Sequence, residues 1–309
     1  MRDRIVVGVD GSPGAQVALA WAMRLGEALG AEVVAVHAVG LLETAHPAGQ
    51  PAGAWRAGLR DLTDHRWCAR LVDAGLAHRI EVVDGPAVDV LLDAAQREHA
   101  SLVVVGARGV GRRPELALGS TSLRLLQAAR VPTLVVPDAV VSETEVDRPR
   151  RRILVGVDRS PASLAALAVA VDLAPVLGAS LTVVEAFEFE PPFPLAMPAG
   201  GTSRDDRSAR LPTAAVIEDL VPRIRSGGIA VEVVVRSGDP AATLLQVADD
   251  IDADLVVVGS RGGGDPADPL LGSVARSVAA RGRRPTLVVP AAAGSVRLES
   301  EAAHHTPIP

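Results

Sequence analysis

The stretch VVGARGVGRRPELALGST, Val104–Thr121, runs from β-branched residues straight into a loop rich in glycine. A second stretch, VVGSRGGGDPADPLLGSV, Val257–Val274, repeats its skeleton. In both, a glycine is followed by two residues, another glycine, nine residues and then Gly-Ser. A loop kept twice in one chain implies a duplicated unit, and self-alignment extends it. IVVGVDGSPGA at Ile5–Ala15 matches ILVGVDRSPAS at Ile153–Ser163, and AEVVAVHA at Ala31–Ala38 matches ASLTVVEA at Ala179–Ala186. Gly8 therefore pairs with Gly156, 148 residues on, whereas Gly106 pairs with Gly259, 153 residues on. The five extra residues fall between the second strand and the glycine loop.

Each half alternates apolar runs of strand length with segments of helical period. RIVVGVD is followed by Ser12 and Pro13, an N-cap and a proline at the first helical position. Ala18, Trp21, Ala22 and Leu25 then recur at helical spacing, and Gly30 ends the helix. EVVAVHAV predicts a second strand; the Pro/Gly/Ala-rich stretch His46–Gly58 reads as a connection before a helix ending near Gly75. RIEVVDG, SLVVVGA and PTLVV predict three more strands, separated by the helices PAVDVLLDAAQREHA and STSLRLLQAAR. The second half repeats this order, with a longer irregular insert from Phe187 to Arg210. Continuous apolar strands alternating with amphipathic helices predict an α/β fold, two tandem doubly wound domains. Each is a five-stranded parallel sheet with helices on both faces. The expected boundaries are 1–141 and 151–292, with a polar linker at 142–150 and a loose tail at 293–309.

Composition narrows the function. The chain has 309 residues, long enough for two ordinary cores, with 48% hydrophobic and 22% charged residues, the balance of a globular protein. A net charge of −6 argues against a nucleic-acid groove or an anionic membrane surface. All 31 basic residues are arginine, which excludes a P-loop lysine, a Schiff base and a lysine general base. Cys68 is the sole cysteine, so no internal disulfide forms, and no apolar run resembles a leader or a membrane span. These features predict a cytoplasmic protein.

In an open parallel sheet, ligands bind beyond the carboxyl ends of the strands, where Gly106 and Gly259 fall. Gly109 and Gly262 offer backbone turns that a Cβ would disfavour. Gly119-Ser120 and Gly272-Ser273 stand where the next helix begins, with free N–H groups, a helix dipole and a hydroxyl that all suit an anion. The chemistry implied is a phosphate cradle without a lysine. The bland alternative is a turn device inherited by duplication. Asp10 and Asp158, at the ends of the first strands, read either as ligand contacts or as Asx-turns supporting the helix start.

The pattern Gly-x2-Gly-x9-Gly-Ser, with VGVD-S on strand one and VVP after strand five, resembles the universal stress protein family. The likeness covers nearly all of the chain except inserts, linker and tail. It implies the adenine nucleotide alpha-hydrolase-like fold and, in the ATP-binding branch, a set of contacts at matching positions. Those positions are Asp10 and Asp158 for the nucleoside, and Ala38 and Ala186 for adenine through the backbone. Ribose and phosphates would meet Gly106, Arg108, Gly109, Gly119, Ser120 and Thr121 in one half. Gly259, Arg261, Gly262, Gly272, Ser273 and Val274 match them in the other. The resemblance implies ATP as a ligand in a stress-response protein without dedicated catalytic residues; Mg²⁺ is a candidate companion ion of its phosphates. An interaction scaffold that binds no nucleotide, or a slow ATPase, stays open as an alternative. Family members often pair through strand five, so the resemblance implies a pseudo-twofold dimer within the chain and leaves room for a homodimer.

Other readings fail on spacing. GVDGSPG lacks the G-x-G-x-x-G of a dinucleotide fold, and neither GSTS nor GSVA contains G-x-S-x-G. His37 is replaced by Glu185 in the second repeat and reads as a packed residue; His65 and Cys68, one helical turn apart, are too few to close a metal site. The loop interiors differ in charge, Arg112 and Arg113 against Asp265 and Asp268. That contrast predicts tighter metal-free ATP binding at repeat one and a stronger Mg²⁺ requirement at repeat two.

Overall fold

The computed structural model describes residues 3–40, 52–110, 117–138, 151–187, 221–222, 224–225, 227–262 and 271–293. In the first half, β1 (Arg4–Gly8), β2 (Glu32–Val39), β3 (His78–Asp84), β4 (Leu102–Gly106) and β5 (Thr133–Val136) alternate with helices. The helices are α1 (Pro13–Leu29), α2 (Ala52–Leu62), a π-helical turn (Thr63–Trp67), α3 (Ala69–Asp73), α4 (Ala87–Arg97) and α5 (Ser120–Ala128). The second half carries β6 (Arg151–Gly156), β7 (Ala179–Phe187), β8 (Val231–Ser237), β9 (Leu255–Gly259) and β10 (Thr286–Val289). Its described helices of five residues or more are α6 (Pro161–Val176), α7 (Pro240–Asp250) and α8 (Ser273–Arg281).

Strands within each half pair in parallel, and the whole sheet runs β3-β2-β1-β4-β5-β10-β9-β6-β7-β8. The centre is antiparallel: β5 and β10 pair with Leu134 opposite Leu287. Those two leucines occupy the same place in their repeats. The proline-flanked strands VPTLVVP and RPTLVVP, which suit a sheet edge, here occupy the middle of the sheet.

Both faces of the central strands are covered, which is why β1, β4, β9 and β10 are so apolar, whereas the edge strands β3 and β8 are only partly buried. Ile5, Val7, Val33, Ala35 and Val104 pack in one layer with Ala18, Trp21 and Leu25 of α1. Val6, Val34, Val36, Val103 and Val105 pack in the other with Leu91 and Ala94 of α4 and Leu125 of α5. Each layer continues across the centre, since Leu134 and Leu287 share the first and Val135 and Val288 the second.

Local signals act as their residues dictate. The Ser12 hydroxyl accepts from Ala15 N–H at 3.2 Å, Pro13 opens α1, and Gly30 closes it in the left-handed region at φ 62°. Ser160 and Pro161 do the same for α6, where the Ser160 hydroxyl accepts from Ser163 N–H. One expectation needs correction: α2 begins at Ala52, inside the stretch read as a connection. Alanines at 52, 54 and 57 sustain helix there despite Gly53 and Gly58. The linker 142–150, residues 188–210 of the insert and residues 294–309 of the tail lie outside the described residues.

Candidate functional site

Two cavities sit at equivalent places, beyond the carboxyl ends of the first, second and fourth strands of each half. This is where the strand order reverses, the position at which open α/β sheets bind ligands. The first cavity has a volume of about 440 Å³ and the second about 350 Å³. Both lie in the range of small-molecule sites. Asp10, Ala38, Gly106, Arg108, Gly109, Gly119, Ser120 and Thr121 all line the first. Asp158, Ala186, Gly259, Arg261, Gly262, Gly272, Ser273 and Val274 all line the second.

The carboxylate at the end of the first strand organises each loop. Asp10 Oδ1 accepts from Ser12 N–H at 2.9 Å, forming an Asx-turn, and Oδ2 accepts from Val110 N–H at 3.0 Å. Asp158 Oδ1 accepts from Ser160 N–H at 3.0 Å in the same way. The role expected for Gly109 and Gly262 changes accordingly. Neither adopts a positive φ. A Cβ on Gly109 would strike Asp10 Oδ2, and one on Gly262 would lie 2.6 Å from Asp158 Oδ2. These glycines make room for a carboxylate.

Gly106 and Gly259 serve close backbone approach. A Cβ on Gly106 would lie 2.7 Å from the Gly14 carbonyl carbon, and one on Gly259 2.6 Å from that of Ala162. The first turns of α1 and α6 are thus pressed against the ends of β4 and β9. Opposite them begin α5 and α8, with glycine N-caps at Gly119 and Gly272 and no side-chain cap on either. By contrast α1, α6 and α7 are capped by Ser12, Ser160 and Asp239. The starts of α5 and α8 therefore keep their amides for another acceptor, whereas the capped helices also reach the cavities, α1 through Ser12 and Ala15, α6 through Ser163 and α7 through Pro240.

Several lining residues carry no motif and escape sequence reading. Leu91 of α4 and Leu244 of α7 form apolar floors, 3.2 Å and 2.9 Å from where a Cβ would sit on Gly8 and Gly156. Their equivalence at the 153-residue spacing was the available signal. Ser122 donates from Oγ to the Gly106 carbonyl at 2.7 Å, whereas Ala275 stands at its counterpart. Beside the second cavity the Ser160 hydroxyl donates to the Arg261 carbonyl at 3.1 Å. Arg108 is ion-paired through Nε with Asp138 Oδ2 at 2.9 Å, a partner that no motif marks.

His37 is buried as expected, with Nδ1 2.8 Å from the Val9 carbonyl and its ring edge-on to Trp67 at 4.9 Å. Trp67 also fills the space beside Gly11, whose φ of 76° and contact with the indole both exclude a side chain. His65 and Cys68 are not brought together: the His65 side chain is 77% exposed, whereas Cys68 is fully buried. Burial, reinforced by Asp64, pushes the Cys68 thiol up to about 12. Among the described residues no three metal-ligating side chains cluster. Arg112, Arg113, Asp265 and Asp268 lie outside them.

Comparison with known proteins decides the family. The model of the universal stress protein family matches twice, over residues 1–137 and 149–290. The chain belongs to the universal stress protein family. A universal stress protein of Mycobacterium tuberculosis is 33% identical over 309 residues, covering 92% of this chain and 95% of that protein. One from Mycolicibacterium smegmatis is 31% identical, covering 92% and 96%. Among solved structures, a universal stress protein from Archaeoglobus fulgidus superposes with a TM-score of 0.68 at 20% identity, over 93% of this chain and 98% of that one. That likeness concerns the fold. No helix among the described residues is long and apolar enough to cross a membrane.

Proposed function

We propose that this universal stress protein binds an adenine nucleotide, ATP foremost, in each of its two cavities and acts as a ligand-regulated stress-response module. The observation that carries the reading is the pairing, in both halves, of an uncapped helix start with a glycine loop on one cavity wall. Phosphates suit those amides and dipoles. Leu91, Val105 and the backbone at Ala38 offer an apolar place for the base, with Leu244, Val258 and Ala186 as counterparts. Mg²⁺ would accompany the phosphates as their counter-ion.

The proposed role is binding, with nucleotide stabilising the loops by mass action, in a cytoplasmic protein. Domains at 1–141 and 151–292 would work as an intrachain pseudo-dimer, a reading supported by the β5–β10 pairing. Denaturing the purified protein and weighing the released small molecules tests the proposal. An adenine nucleotide in the supernatant supports it. Absence of nucleotide, together with no binding of added ATP, would overturn it.

A further inference from the structure

We propose that Asp138 is a specificity-determining residue of the first cavity, setting how much phosphate charge that site accepts by holding Arg108 in an internal ion pair. The proposal rests on the nucleotide reading above. Arg108 lines the cavity, and Asp138, two residues beyond β5, binds its Nε at 2.9 Å. The seat of this carboxylate is built into the fold. A Cβ on Gly14 would lie 2.6 Å from Asp138 Oδ1 and 2.7 Å from the Arg108 carbonyl oxygen, so only glycine leaves room for both. Gly14 belongs to the first turn of α1, where the helix dipole favours an anion. Among the described residues, Asp138 Oδ1 is nevertheless buried without a hydrogen-bond donor. Buried acceptors are rarely left so.

The duplicated half differs at both positions together. Gly14 corresponds to Ala162 and Asp138 to Ala291, while Arg108 corresponds to Arg261. Removal of the carboxylate thus accompanies loss of the glycine that makes room for it. One half joins its loop arginine to a built-in anion; the other has alanine at that anion's position.

An arginine already satisfied by a carboxylate attracts an incoming phosphate less, and the carboxylate repels each added phosphate charge. A triphosphate is penalised more than a monophosphate. The first cavity should therefore show a lower ratio of ATP to AMP affinity than the same cavity without Asp138. This effect opposes the one expected from Arg112 and Arg113, and a change at Asp138 alone separates the two.

The test uses the full chain carrying Ser273→Glu, which places a carboxylate at the start of α8 to block the second cavity. ATP and AMP affinities are measured calorimetrically with and without Asp138→Ala or the shape-conserving Asp138→Asn. ATP binding should tighten about fivefold, roughly one surface charge contact, while AMP tightens less than about twofold. Adding Arg108→Gln should abolish the gain, a result that a general change in packing would not give. An unchanged ATP-to-AMP ratio in both Asp138 variants, with the parent still binding nucleotide, would overturn this proposal alone. Failure of both nucleotides to bind the parent and the unblocked chain would overturn it together with the nucleotide reading.

Discussion

Asp10 and Val110 lie 100 residues apart in sequence and are joined by one hydrogen bond of 3.0 Å, from the Val110 amide to the Asp10 carboxylate. The other carboxylate oxygen holds Ser12, so a single side chain ties the start of α1 to the glycine loop. Asp10→Ala should release the loop and weaken nucleotide binding at the first cavity by on the order of 1–2 kcal/mol. Asp10→Asn, with one carbonyl acceptor for two donors, should fall between. Hydrogen exchange at the Val110 amide should quicken in both variants. Unchanged exchange there would mean that the loop is held by something else.

Gly106 tests the packing independently of any ligand. Its missing Cβ would meet backbone of α1, which cannot swing aside as a side chain can. Gly106→Ala should destabilise the nucleotide-free protein by about 1–3 kcal/mol, read as a lower urea midpoint. Gly119→Ala should be milder, because its Cβ would meet the Ala107 carbonyl oxygen at 3.1 Å. Equal midpoints for wild type and Gly106→Ala would contradict the close approach of α1 to β4.

A third prediction concerns pH and lies at the opposite end of the sheet. The nearly buried Glu98 carboxylate pairs with Arg79, with Arg97 Nε at 3.2 Å and with Arg4 Nη1 at 3.5 Å. Arg79 foremost holds its carboxyl below the usual range, against the opposing effect of burial. A carboxyl depressed on folding stabilises above its unfolded pKa, and that contribution disappears as pH falls through the folded value. Glu98→Gln should therefore destabilise by about 1–2 kcal/mol at neutral pH. The gap from wild type should narrow below about pH 4.3, the ordinary glutamate value. A gap independent of pH from 7 to 3 would contradict the ion-pair account.

Cys68 provides a chemical check on the core. With its thiol pushed up to about 12 and no exposed surface, it carries negligible thiolate at pH 8. Iodoacetamide should leave it unmodified in the folded protein and label it fully in denaturant. Rapid labelling of the native chain would show that the helices over the first layer open readily.

Strand runs, the Ser12-Pro13 and Ser160-Pro161 helix starts and the 148- and 153-residue spacings made the fold readable, because each is local or a copy of something local. The spacings also brought together both sets of cavity residues. What stayed hidden is tertiary. Nothing around Gly109 reveals that its space is taken by Asp10, and nothing links Asp138 to Arg108 and Gly14 until β5 and α1 are folded side by side. Trp67 likewise finds Gly11 and His37 only through the packing of the π-helical turn. The start of α2 is masked in the sequence because proline and glycine nearby outweigh the alanines that continue it.

The central claim is that both glycine loops hold nucleotide, and binding stoichiometry tests it most directly. Equilibrium dialysis of the full chain with labelled ATP should saturate at two molecules per chain. Ser120→Glu and Ser273→Glu, each placing a carboxylate where a phosphate would sit, should reduce this to one apiece and to none in combination. Saturation at two in the double variant, or no saturable binding by the wild-type chain, would contradict the account.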